Sequence, residues 1–85
     1  MELQLFIRYH PPHTEKYVTT TINIFDTDTI GRLKEIYRIK NEFPYDYYTR
    51  LLLYGQELFD DKITLKELNI VGSTCIHHID RLRGD

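Results

Sequence analysis

The stretch Arg50-Leu51-Leu52-Leu53-Tyr54-Gly55-Gln56-Glu57-Leu58 decides how this chain folds. Arg50–Tyr54 is a short apolar run closed by Gly55, too brief for a stable helix and bounded in the way a strand is bounded. Gln56-Glu57-Leu58 then continues as a shorter strand before the turn at Asp60-Asp61. Side chains alternate along a strand, so if Leu51 and Leu53 point inward, Arg50, Leu52 and Tyr54 point outward. A strand with one apolar face needs strands beside it and a layer packed over it.

Both are found by reading outward. Toward the C-terminus, Leu65–Ile70 is a short helical or 3₁₀ candidate, Val71-Gly72-Ser73 breaks it, and Thr74–Arg81 reads as a final strand. Toward the N-terminus, Leu3–Tyr9 (LQLFIRY) alternates with Leu3, Leu5 and Ile7 on one face and Gln4, Phe6 and Arg8 on the other. Pro11 and Pro12 remove backbone donors and stop that strand. Val18–Ile24 alternates again, with Val18, Thr20, Ile22 and Ile24 expected inward, so the two strands read as an antiparallel hairpin. Asp26-Thr27-Asp28-Thr29 offers capping oxygens and two acidic side chains at a helix start. Ile30, Leu33, Ile36 and Tyr37 then share one helical face, while Arg32, Glu35, Arg38 and Ile39 lie outside it. The helix cannot comfortably pass Phe43-Pro44 and ends near Asn41. Strand, strand, helix, strand, short strand, strand predicts an α+β fold in which one helix crosses a mixed sheet, as a single domain over residues 1–85.

Composition excludes several functions. At 85 residues there is room for one small core and no deep enzymatic cleft. Eleven Lys+Arg against thirteen Asp+Glu leave a net charge of −2, with no global drive toward nucleic acid or an anionic membrane. The lone Cys75 cannot form an intramolecular disulfide or a multi-thiolate zinc site. With no apolar stretch near membrane-spanning length and no signal-peptide pattern, the chain reads as soluble and intracellular.

Strand parity brings a candidate surface together. If Ile76 points inward, Cys75, His77, Ile79 and Arg81 share the outer face, and antiparallel pairing sets Leu52 beside His77 and Ile79, with Arg50, Arg81 and Arg83 around them. An apolar patch with a basic rim has the anatomy of a protein-binding surface. His77 and His78 are adjacent in a strand, point to opposite faces and do not suit one metal ion; His78 has the inward parity of a buried, hydrogen-bonded imidazole. His10 and His13 make too weak a ligand pair. Cys75 and His77 stand too far apart for a relaxed catalytic dyad. No catalytic group, metal site or cofactor is expected. Tyr45, Tyr47 and Tyr48 read as a loop packed against the helix end, with a second interaction surface or a base-stacking platform as the alternatives.

These residues resemble the ubiquitin family. Asp28-Thr29-Ile30, Phe43-Pro44 with Asp46, Arg50 through Leu58, Thr64-Leu65 with Leu68-Asn69-Ile70, and Arg81-Leu82-Arg83-Gly84 follow the family's order at nearly its spacing. The resemblance covers almost the whole chain and implies the β-grasp fold. The departures are a longer Pro-Pro hairpin loop, two extra residues at the start, and single insertions near Tyr47–Thr49 and Asp60–Ile63. Insertions in loops cost little.

By this resemblance Leu52, His77 and Ile79 match the positions that meet ubiquitin-binding domains, Phe6 matches an exposed aromatic near the chain start, and Gly55 with Arg50 and Arg81 borders the same surface. The tail implies something different. Conjugation in this family needs two terminal glycines, whereas Gly84 is followed here by Asp85, whose side chain and charge oppose activation of the tail. Gln56 and Gly72 occupy positions matching two chain-linking lysines. The resemblance therefore implies a non-conjugated, monomeric ubiquitin-like domain of the cytoplasm or nucleus. Its expected partners are ubiquitin-binding domains, ubiquitin-pathway enzymes or the proteasome, with neither nucleic acid nor membrane. Two other readings are a divergent modifier attached after tail processing and kinship with a spliceosome-associated ubiquitin-like protein, which the Arg-Leu-Arg-Gly run opposes.

Overall fold

The computed structural model describes residues 1–79. Its elements are β1 (Glu2–Tyr9), β2 (Val18–Phe25), α1 (Ile30–Lys40), β3 (Arg50–Leu53), β4 (Gln56–Glu57) and β5 (Cys75–Ile79), and the sheet runs β2-β1-β5-β3-β4. β1 and β2 pair antiparallel from Glu2↔Phe25 to Tyr9↔Val18, and β5 lies parallel to β1 and antiparallel to β3. The sheet is therefore mixed, with its central strands coming from opposite ends of the sequence. The final strand, expected to reach Arg81, is described to Ile79; Arg81, Arg83, Gly84 and Asp85 lie outside the described residues.

The inner face follows the alternation. Leu3, Leu5, Ile7, Ile22, Ile24, Leu51, Leu53 and Ile76 are buried, and Ile30, Leu33 and Tyr37 of α1 close over them. Burying such side chains stabilises by about 1.5–3 kcal/mol each, which is what holds a sheet and one helix together. Val18 differs from its expected inward place and is 44% exposed. The helix ends at Asn41, whose amide bonds the Thr20 hydroxyl at 3.2 Å, so no helical turn covers the strand two residues farther out.

Thr29 caps α1 by accepting from the Arg32 amide at 3.2 Å. Asp28, expected to serve the helix start, instead accepts from the Phe25 amide at 3.2 Å. That amide lies on the outer edge of β2, away from β1; on the same edge Lys40 Nζ donates to the Thr21 carbonyl at 2.8 Å. Gly31 allows a close approach. Its amide donates to the Asp61 carbonyl at 2.9 Å, and a Cβ there would stand 3.1 Å from that oxygen.

Two residues with positive φ, Tyr54 (51°) and Gly55 (79°), turn β3 into β4, with Leu53 paired to Gln56. This is the type I′ geometry that matches strand twist. Leu65–Ile70 forms turns, with i→i+3 bonds from Leu68 to Leu65 and from Asn69 to Lys66, rather than a regular helix. Thr64 and Glu67 nevertheless exchange the bonds of a capping box at 2.9 and 3.1 Å.

Candidate functional site

Strand register assembles the outer surface. Leu52 stands opposite His77, and Ile79 opposite Arg50. His77 in turn pairs with Arg8, and Cys75 with Phe6. Since paired residues share a face, Thr19, Arg8, His77, Leu52 and Glu57 form one row across all five strands. Leu52, Ile79 and Phe6 are half-buried and His77 is exposed, so Leu52 and Ile79 offer a shallow apolar strip beside His77, with Phe6 set apart from it by the Arg8–His77 pair. Gly55 lies at the turn beyond β3. Arg81, Arg83, Gly84 and Asp85 are not among the described residues.

The electrostatics of this face differ from parity alone. Arg50 does not offer a free charge, because its guanidinium grips Glu57 through Nη2 at 2.7 Å and through Nε at 3.2 Å. This hydrogen bonding holds the Glu57 carboxyl below its usual range against the opposing effect of burial, and the Tyr48 hydroxyl assists. The same bond raises Arg50 above the usual arginine value. The cation beside His77 is Arg8, which stacks over the Tyr17 ring at 4.2 Å; His10 meets the same ring at 5.0 Å. The hairpin loop thus folds back to extend the face. Arg8 has the outward parity of Phe6, but its place beside His77 depends on the parallel β1–β5 pairing.

His77 and His78 diverge as the alternation requires. His78 is 4% exposed and enclosed by aromatic rings, stacked on Tyr9 at 4.2 Å and met edge-on by Tyr37, Phe43 and Tyr47. Both ring nitrogens are bonded, Nδ1 to the Tyr37 hydroxyl at 2.7 Å and Nε2 to the Tyr47 hydroxyl at 3.1 Å. A buried imidazole is tolerated because its polar atoms are satisfied. Among the described residues no three His, Cys, Asp or Glu side chains converge as metal ligands, and no helix is long and apolar enough to cross a membrane.

The tyrosine loop divides. Tyr47 is half-buried against Phe43 and His78, whereas Tyr45 is 89% and Tyr48 57% exposed. These last two stand over a groove of about 470 Å³ between α1 and the loop, lined also by Gly31, Lys34, Arg38 and Asp61.

No protein-family model matches the chain. Among solved structures, it is similar to the ubiquitin of Caldiarchaeum subterraneum, with a TM-score of 0.79 and 20% sequence identity over 100% of both chains. The likeness runs through every described element from the first hairpin to the last strand, and it establishes the architecture: the chain has the ubiquitin-like β-grasp fold.

Proposed function

We propose that the chain is a ubiquitin-like protein-interaction domain that works without being conjugated, engaging ubiquitin receptors, ligases or the proteasome through the outer sheet face. The observation that carries this reading is the register of β3 on β5, which sets Leu52 against His77 and Ile79 against Arg50 on one surface. Such a strip is suited to an apolar side chain of a partner helix, with Arg8 as a cation at its margin. The partner is a protein rather than a nucleic acid or membrane, since the net charge is −2 and, among the described residues, the face holds too few unpaired cations for a polyanion. The domain acts as a monomer in the cytoplasm or nucleus. Its independence from conjugation rests on the sequence Gly84-Asp85, in which the second glycine of a conjugated tail is replaced.

The test is titration of a ubiquitin-interacting helix into the domain and into the Leu52→Ala/Ile79→Ala variant. The variant should bind at least tenfold more weakly. Equal affinity, or no binding by the parent, overturns the reading. Incubation with ubiquitin-activating enzyme and ATP should give no thioester; a thioester would make the domain a modifier.

A further inference from the structure

The groove between α1 and the tyrosine loop lies apart from the sheet face, and its lining includes none of Phe6, Leu52, His77 or Ile79. Its charges pair off unevenly. Lys34 is held by Asp61 at 2.8 Å, and the Glu35 carboxylate is taken by Arg32 at 2.9 Å. The nearby Glu57 is bound to Arg50. Arg38 is left: among the described residues no carboxylate lies within 4 Å of it. One guanidinium nitrogen makes a long 3.4 Å bond to the Phe43 carbonyl, and the group stands 5.5 Å from the centre of the Tyr45 ring. Its planar fork therefore retains donors for an incoming oxyanion, with a ring beside it to fix its orientation.

The walls supply the complementary part. Tyr45 and Tyr48 expose large rings, and Tyr47 is anchored to the core through His78. Rigid tyrosines beside an arginine are the side chains that dominate protein-recognition sites, since they offer apolar area with little rotamer entropy to lose. One uncompensated cation suits a single carboxylate and is too little for a nucleic-acid backbone.

We propose that this groove binds an acidic peptide segment of a partner protein, one carboxylate pairing with Arg38 and a neighbouring apolar or aromatic side chain resting between Tyr45 and Tyr48. The domain would then hold two partners at once, one on the sheet face and one here.

The probe is an acetylated and amidated pentapeptide with phenylalanine between two pairs of glutamates, titrated into the ¹⁵N-labelled protein. Amide shifts should gather at Lys34, Arg38, Tyr45 and Tyr48. Arg38→Gln should weaken binding at least fivefold, and Tyr45→Ala, which alters a side chain on the surface, should do likewise. The Leu52→Ala/Ile79→Ala variant should bind the peptide unchanged, which separates this site from the sheet face. The inference is overturned by equal binding of the glutamine counterpart, by shifts centred on Leu52 and His77, or by no shift at millimolar peptide.

Discussion

The Tyr37 hydroxyl and Nδ1 of His78 lie 2.7 Å apart, tying the third turn of α1 to the last described strand through the core. Tyr37→Phe keeps the ring and removes the hydroxyl, and with it this buried bond to the imidazole. Stability should fall by about 1–2 kcal/mol in urea unfolding. His78→Ala, which also opens a cavity among four aromatic rings, should cost about 2–5 kcal/mol.

The Arg50–Glu57 pair makes stability depend on acid. Glu57 is held below its ordinary value by its bonds to Arg50, so its contribution is present above that value, 4.5, and disappears as pH falls through the lower folded-state value. Glu57→Gln should be less stable than the parent near pH 7, and the difference should shrink as pH falls below 4.5. Urea midpoints across that range measure it; a difference independent of pH would mean the pair acts through packing alone.

The β3–β4 turn carries a correctable strain. Tyr54 has a φ of 51° while its side chain is 86% exposed, so it bears the cost of a left-handed conformation without packing to offset it. Tyr54→Asn creates the Asn-Gly pair that type I′ turns favour and should raise stability by about 0.5–1 kcal/mol. Thermal unfolding would register this as a higher Tm.

Gly31→Ala should do the reverse, although alanine is the better helix former. The added Cβ would meet the Asp61 carbonyl oxygen at 3.1 Å and Asp61 Cβ at 3.2 Å, pushing the loop off the helix. Loss of about 1–2 kcal/mol is expected, with faster hydrogen exchange at the Gly31 amide.

Period-two alternation made most of the sheet readable before any coordinates. The inward places of Leu3, Leu5, Ile7, Leu51 and Ile76, and the shared face of Leu52, His77 and Ile79, follow from parity, and Thr29 and Pro44 mark the helix limits. Partnership was less legible. Arg50 is claimed by Glu57 only because a two-residue turn brings β4 back along β3, and Arg8 reaches His77 only because the first and last strands pair in parallel. The tyrosine loop has no period, so nothing in its sequence separated the anchored Tyr47 from the exposed Tyr45 and Tyr48. Val18 has the right parity but lies beyond the reach of the helix.

The outer edge of β2 bears on how the molecule behaves when concentrated. Eight residues from Val18 to Phe25 carry no charge and no proline, the composition that invites strand-by-strand growth into aggregates. Lys40 occupies the Thr21 carbonyl and Asp28 the Phe25 amide, so an added strand would have to displace an ammonium and a carboxylate to extend its ladder. Two charged side chains from the helix and its approach thus act as gatekeepers for a strand that has none of its own.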